Sequence, residues 1–322
     1  MSEIAFYQAM KDAISEEMDR DEKVYLIGED VVGGVYPHTA GLIDKFGSDR
    51  IIDAPLAENL IVGSSIGAAL AGYRPICDMM EADFILIAID EISKAGQWRF
   101  MHGGVVQVPM VIIGGNGGYH GVANDHAKMV YGNLLHIPGI KIAVPSNAYD
   151  AKGLLKTAIR DNNPVIYFWH KDCFMDKGEV PDEEYTIPFG EARIVREGSD
   201  VTLVAVQKMV SMAEKVAQQL EGSISIEIID PRTLIPLDME TILRSIEKTM
   251  RLVIVDEANA RGGFASELSA RVMEQGFDLL DAPVVRVCGL DYPIPGGFLE
   301  TVVLPSEERI RAGIEEAMAR NL

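Results

Sequence analysis

The constraint that dominates this sequence is an alternation. Short, continuously apolar runs recur along it, separated by stretches with helical spacing. "KVYLIG" (23–28), "DRIIDA" (49–54), "RPICDMM" (74–80), "PMVIIGG" (109–115), "IKIAVP" (140–145) and "PVIYFW" (164–169) are the strand candidates. Runs with no polar face suit strands buried on both sides of a parallel sheet, and a parallel sheet needs a crossover between strands. "FILIAIDEISKAGQWRFM" (84–101) and "AYDAKGLLKTAIRDN" (148–162) have helical character, and Asp161-Asn162-Asn163-Pro164 ends one helix and starts the next strand. The first part of the chain therefore reads as a doubly wound α/β domain.

Between 171 and 199 the alternation lapses into "KDCFMDKGEVPDEEYTIPFGEARIVREGS", with charges, turn residues and one short strand signal. It resumes as "DVTLVAV", a helix over 209–220, "SISIEIID", a helix over 239–248, "RLVIVDE", a helix over 264–275, "APVVRVCG" and a closing helix, "SEERIRAGIEEAMARNL". At 322 residues there is room for two cores. The reading is one α/β domain at 1–175, a linker at 176–197 and a second doubly wound α/β domain at 198–322.

Composition narrows the function classes. Hydrophobic residues make up 48% and charged residues 24%, ordinary for a fold that lives in water. A net charge of −20 repels nucleic acid and anionic membranes and favours docking to a basic partner. "LIVGSSIGAALAGY" is too short and too rich in glycine and serine to span a bilayer. The opening "MSEIAFYQAMKDAISEEMDRDEK" is charged and amphipathic, which reads as helix and not as a secretory signal. Cys77, Cys173 and Cys288 lie far apart with no CxxC or Cys/His spacing, so they read as reduced core residues of a cytoplasmic protein.

Two local features carry chemistry. "PLAENLIVG" (55–63) sets Glu58 at the mouth of an apolar, small-residue segment. A helix start would account for it: Asn59 can cap, and an acid near a helix N-terminus gains from the macrodipole. "GGNGGYHG" (114–121) follows a strand and invites a dinucleotide reading. Counted from Gly115, however, the GxGxxG frame puts His120 where the third glycine belongs. What is left is a loop crossing the carboxyl edge of a parallel sheet, where α/β proteins bind ligands. His120, His126 and His136 fall in that loop and the helix after it, with only Asp125 beside His126 as a neighbouring carboxylate, so a metal site is poorly supported.

"GED" (28–30), "DAPLAENLIVG" (53–63), "ADF" (82–84), "HIPGIKIAVPSNAYDAKGLLKTAIRDNNPVI" (136–166), "IIDPRTLIPLD" (228–238) and "DEANARGGFASEL" (256–268) stand in that order along the chain. Together they resemble the β subunit of the thiamine-diphosphate-dependent first component of 2-oxo acid dehydrogenase complexes. Pyruvate, branched-chain 2-oxo acid and acetoin dehydrogenases share this subunit. The resemblance covers nearly the whole chain and implies a pyrimidine-binding domain followed by a transketolase C-terminal-like domain. It also implies that Glu58 hydrogen-bonds a ring nitrogen of the cofactor's aminopyrimidine. A carboxylate is needed there because sharing a proton with that nitrogen favours the imino form of the exocyclic amine, which deprotonates the thiazolium carbon. That carbon attacks the ketone, and the ring takes up electrons as carbon dioxide leaves. A dry apolar wall around Glu58 would keep the shared proton from bulk water. Met80 and Phe84 match apolar positions around the pyrimidine, with Phe84 able to stack on it, and Glu29 joins them as a cofactor-binding residue. His126, ten residues before His136 of the H-x-P-G motif, matches the histidine that donates a proton during acyl transfer to lipoamide. His120 is the alternative.

Departures and absences add to this. The family usually follows that histidine with Ser-Gln, where this chain has Ala127-Lys128; it often has a polar residue where this chain has Ile87. "PIPGGFLE" (293–300) follows the family's proline-rich pattern only loosely. No Gly-Asp pair occurs, so the Gly-Asp-Gly motif that binds magnesium and diphosphate in related enzymes is missing. The resemblance therefore implies an α subunit that supplies the diphosphate and magnesium ligands, a cofactor shared between chains, and an α2β2 assembly. It further implies a structural potassium ion near Ala158, Asp161 and Asn163, and docking by charge to a lipoyl acyltransferase core. The implied reaction is oxidative decarboxylation of a small 2-oxo acid, pyruvate first, with acetoin cleavage and a transketolase-like transfer as rivals. A scaffold without chemistry and a nicotinamide-linked oxidoreductase compete from other classes; Glu58 argues against the first and the broken glycine frame against the second.

Overall fold

The computed structural model describes residues 1–320, and the chain packs as two units. One comprises residues 1–116 and 136–189; the other comprises residues 117–135 and the chain from Gly190 onward.

The strands of the first unit are β1 (Ser2–Ala5), β2 (Val24–Gly28), β3 (Ile51–Asp53), β4 (Arg74–Glu81), β5 (Val111–Asn116), β6 (Lys141–Ala143), β7 (Val165–His170) and β8 (Lys177–Val180). Its helices before residue 117 are α1 (Phe6–Arg20), α2 (Leu42–Phe46), α3 (Glu58–Leu70), α4 (Ala82–Ile85) and α5 (Ile89–Met101). The excursion at 117–135 carries α6 (Tyr131–Leu134), and α7 (Ala148–Arg160) follows. Within this unit the main sheet runs β3-β2-β4-β5-β7-β6 with every neighbouring pair parallel. β5 and β7 are buried along their whole length, as their unbroken apolar runs require. α1 buries Ala9, Met10, Ala13, Ile14 and Met18 along one stripe, in the same core as Leu154, Leu155 and Ala158 of α7. Each fully buried Ile, Leu or Met contributes about 2 kcal/mol over an exposed one. α7 starts where the Asn147 side chain accepts the Asp150 amide at 2.9 Å.

One expectation changes here. The N-terminal run is not helical throughout, because residues 2–5 form β1 and pair antiparallel with β8, Ser2 opposite Val180. That pairing joins residues far apart in sequence, which local periodicity cannot register. It also builds the beginning of the 176–197 stretch into the first unit, and the packing boundary at 189/190 falls inside that stretch.

In the second unit the strands are β9 (Arg193–Arg196), β10 (Val201–Ala205), β11 (Ile226–Asp230), β12 (Thr233–Ile235), β13 (Leu252–Asn259) and β14 (Val285–Gly289). The helices are α8 (Lys208–Gln219), α9 (Met239–Thr249), α10 (Phe264–Gly276), α11 (Glu300–Val303) and α12 (Glu307–Ala319). The sheet order is β14-β13-β10-β11-β9, parallel except for the edge strand β9. Among the described residues no helix is long and apolar enough to cross a membrane.

Both sheets reverse direction. In the first, the chain steps from β2 to β3 and then returns to the other side of β2 with β4; in the second, it steps from β10 to β11 and returns with β13. Such a reversal leaves a crevice outside the carboxyl ends of the strands, where open α/β sheets take ligands. Each unit thus has one predicted binding edge.

Candidate active site

At the first edge, Gly28 ends β2 hard against β4. A Cβ there would lie 2.5 Å from the carbonyl oxygen of Asp78, so only glycine lets the two strands close. The chain then presents Glu29 and Asp30, β3 ends on Asp53, and Glu58 opens α3. The Glu29 carboxyl is raised above the ordinary range, first by burial and then by Asp30 and Glu58. The Glu58 contribution puts residues from two separate motifs in one electrostatic neighbourhood.

The helix-start reading of Glu58 holds in part. Ala57 precedes α3 and offers no capping side chain. Asn59 lies inside the first turn, where its Oδ1 accepts the Leu60 amide at 3.0 Å, so it is not the cap. Glu58 is the acid of that turn and supplies the charge the macrodipole favours. Leu56 and Leu60, on either side of it, are 73% and 51% exposed. The first unit therefore presents a half-buried carboxylate on an exposed apolar lip.

β4 carries the next residues. Its register against β5 shifts between Asp78 and Glu81, and Met80 takes a φ of 56°. A left-handed methionine is strained and persists only where its surroundings hold it. Here Asp78 Oδ1 accepts the Met80 amide at 2.9 Å, while Asp78 Oδ2 lies 2.8 Å from Nε2 of fully buried His38. Phe84 follows on α4, half-buried, and Ile87 is exposed. Tyr36 and Lys171 both bind Glu81 at the end of the strand. Sequence reasoning missed His38, Asp78 and Glu81; acids interrupting the apolar run "RPICDMMEADF" were the signal that could have found the last two.

His120 and His126 belong to the second unit. Residues 117–135 leave β5 and pack with that unit, near the carboxyl end of β13. Gly118 N donates to Glu257 Oε1 at 2.6 Å, and Gly121 N donates to Glu300 Oε1 at 2.8 Å. Loop amides that could have cradled a phosphate are thus taken by the chain's own carboxylates. His120 is exposed, and His126, also exposed, ends a 3-10 turn at Asn124–His126. Ala127 is buried and the Lys128 ammonium lies 3.7 Å from Asp125. Behind the loop, Tyr131 donates to Asp256; burial raises the Asp256 carboxyl to about 6 and carries the Tyr131 phenol well above its ordinary value. A cavity of ≈ 350 Å³ lies alongside, its walls including Lys128, Glu257, Arg261 and Tyr292. His136, beyond the excursion, returns to the first unit and is exposed.

Ala158, Asp161 and Asn163 sit at the opposite, amino edge of the first sheet, at the end of α7 and the approach to β7. Arg74, the first residue of β4, donates to the carbonyls of Ile159 at 3.1 Å and Asp161 at 3.0 Å and to Asn162 Oδ1 at 2.7 Å. Arg99 donates to Asn163 Oδ1 at 2.6 Å, Lys141 pairs with the Asp161 carboxylate, and the Ala158 carbonyl accepts the Asp161 amide at 3.2 Å. Among the described residues no group of three or more His, Cys, Asp or Glu could hold a metal ion. In all, Glu29, Glu58, Met80 and Phe84 share one sheet edge, the potassium candidates lie at the other, and His120 and His126 belong to the second unit.

Comparison with known proteins adds to this geometry. Residues 2–175 match the family model of the transketolase pyrimidine-binding domain, and residues 190–310 match that of the transketolase C-terminal domain. The chain is 45% identical to the acetoin:2,6-dichlorophenolindophenol oxidoreductase subunit beta of Bacillus subtilis, over 94% of each chain. It is 41% identical to the pyruvate dehydrogenase E1 component subunit beta of Rickettsia conorii, over 98% of each. A solved structure described as a split gene transketolase, an inactive β4 tetramer, has a TM-score of 0.84 at 21% identity and covers 99% of this chain and 100% of that one, a likeness of fold.

Proposed function

Because the chain belongs to the transketolase-like family of β subunits found in the first components of pyruvate and acetoin dehydrogenases, we propose that it works with an α subunit, as α2β2, to decarboxylate pyruvate oxidatively and pass the acetyl group to lipoamide. The observation that carries this reading is the row of Glu29, Glu58, Met80 and Phe84 along the carboxyl edge of the first sheet, at its switch point.

The edge fits one half of thiamine diphosphate. A carboxylate at a helix start, a strained methionine and a half-buried phenylalanine suit an aminopyrimidine. Glu29, Asp30, Asp53 and Glu58 make the same rim acidic and would repel a diphosphate. Diphosphate and magnesium therefore fall to the α subunit. When bound, thiamine diphosphate supplies the nucleophilic carbon and the electron sink that decarboxylation needs. Glu58 would share a proton with the pyrimidine ring nitrogen, with Glu29 beside it on the same rim. Met80 and Phe84 orient the ring by packing. His126 then serves the transfer to lipoamide, in which two electrons from the substrate carbon break the S–S bond. One sulfur takes the acyl group, and the other takes the proton His126 donates. Potassium enters the proposal only as a structural ion, where Ala158, Asp161 and Asn163 offer oxygens that the protein's own cations already approach. The enzyme would work in the cytoplasm, its acidic surface docking a basic domain of the acyltransferase core.

A second reading, cleavage of acetoin, is favoured by the 45% identity to an acetoin-linked relative and by Ala127-Lys128 after His126. The bond broken would then join a carbonyl carbon to a carbinol carbon, and acetaldehyde would leave in place of carbon dioxide. The test is turnover of 2-oxo acids and acetoin with an artificial electron acceptor, by this chain co-expressed with its α subunit. Activity should need both chains and thiamine diphosphate and should fall at least ~100-fold in Glu58→Gln, the scale of a lost proton-transfer group. Full activity in the variant would overturn the mechanism, and preference for acetoin over pyruvate would replace the first reading by the second.

A further inference from the structure

The loop carrying His120 and His126 is strained just ahead of each histidine. Tyr119, just before His120, has a φ of 70°, and Ala123, just before the His126 turn, has a φ of 66°. Neither is glycine, so this backbone does not hold itself and must be over-determined by its neighbours. The neighbours are specific. Glu257 and Glu300, each 3% exposed, accept the amides of Gly118 and Gly121. Gly297 N donates to the Gly121 carbonyl at 3.1 Å, Val122 bridges to Gly296, and the Tyr119 hydroxyl donates to the Pro305 carbonyl at 2.9 Å.

Gly118 marks the centre of this grip. A Cβ placed there would lie 2.6 Å from Leu304 Cδ1, 3.5 Å from Glu300 Oε2 and 3.6 Å from Glu257 Oε1. Both carboxylates thus converge on one short piece of main chain. Burying an acid is unfavourable unless it is hydrogen-bonded, and a buried carboxyl oxygen that accepts from an amide fixes where that amide points. The segment that does the holding contains "PIPGGFLE", one of the places where the sequence departs from the resemblance. The loop it holds leads directly into Ala127-Lys128, another.

We propose that Glu300 and Glu257 are positioning residues: they clamp the glycine-rich loop to the second unit and thereby hold its histidine ready to donate the proton in acyl transfer. The proposal rests on the functional reading above. Its test uses the complex with the α subunit and three measurements: substrate-dependent reduction of an artificial acceptor, acyl transfer to lipoamide, and amide hydrogen exchange over residues 117–126. In Glu300→Ala, transfer to lipoamide should fall at least ~10-fold and loop exchange should quicken by at least ~10-fold, while acceptor reduction stays within ~3-fold. Glu300→Gln keeps an acceptor oxygen and should restore transfer and exchange to within ~3-fold of wild type. Should the alanine variant not assemble, Glu300→Asp, which withdraws the carboxylate by one methylene, is expected to move the same two readouts together. Unchanged exchange in both Glu300→Ala and Glu300→Asp would overturn the clamp. Equal loss of acceptor reduction and transfer, without rescue by glutamine, would reduce Glu300 to a structural residue and overturn its positioning role. A wild-type complex that acylates no lipoamide would sink the functional reading instead, and loop exchange would still decide the clamp.

Discussion

Asp256 accepts a hydroxyl from Tyr131 and the amide of Ala258 at 3.0 Å, both of which favour its charged form. Burial nevertheless wins, and the carboxyl rises from 3.8 to about 6. The sign matters. A carboxyl whose value is higher in the folded chain than in the unfolded one binds its proton more tightly when folded. Stability is then lost as pH rises from about 4 through 6, by about 3 kcal/mol at neutrality. Glu184, lowered to about 2 chiefly by its hydrogen bonds to Lys156 and Arg160, slopes the opposite way, so the effect must be read as a difference. In Asp256→Asn the titration disappears. Urea unfolding of variant and wild type side by side should show the variant gaining about 3 kcal/mol on the wild type between pH 4 and pH 7. A constant difference across that range would mean that Asp256 is not held away from water. Residues of this kind were not legible in the sequence. Glu58 stood out because its motif is local, whereas the roles of Asp256, Glu257 and Glu300 depend on amides and hydroxyls more than a hundred residues away, contacts that only the fold creates.

At the scale of elements the sequence was far more informative. All six runs chosen as strands of the first domain are strands, and the signature is clearest in β5 and β7, where two-sided burial leaves an unbroken apolar run. β1 escaped because an edge pairing with β8 leaves no such mark, and the excursion at 117–135 escaped because nothing in a glycine-rich loop says which unit it packs against. The start of β4 carries a testable consequence. Arg74 donates to the carbonyls of Ile159 and Asp161 and to the Asn162 side chain, tying β4 to the end of α7. Arg74→Ala abandons three acceptors in a partly buried turn, at a loss of about 2–4 kcal/mol. Denaturant unfolding in sodium chloride should register that loss. In potassium chloride it should be smaller, since a bound ion would take up the abandoned carbonyls near Asp161. Equal losses in the two salts would remove potassium from the turn, and no loss in either would mean that Arg74 does not hold it.

The molecule as a whole presents two surfaces that its own fold does not explain. One is the charge of −20, a field that speeds encounter with a basic partner and weakens with salt. The other is the lip around Glu58, where Leu56, Leu60 and Ile87 stay exposed. On the same helix Gly67 sits exposed in mid-turn, and a Cβ added there meets nothing within 4 Å. Glycine inside a helix is about 1 kcal/mol worse than alanine, and among the described residues no contact at this position offsets that loss. A second chain passing close to α3 would offset it, and the same chain would cover the exposed lip around Glu58. The α subunit is the partner the functional reading supplies. Leu60→Asp separates the two roles of this face. An exposed substitution should leave the stability of the chain within about 0.5 kcal/mol, whereas a charge pressed into an apolar interface should weaken α-subunit binding by ~100-fold, about 3 kcal/mol. Titration of the variant with the α subunit, beside thermal unfolding of each chain, measures both. Wild-type affinity in Leu60→Asp would leave the lip uncovered by the α subunit. A weakened complex with an unchanged melting profile would place the shared cofactor's shelter at the start of α3.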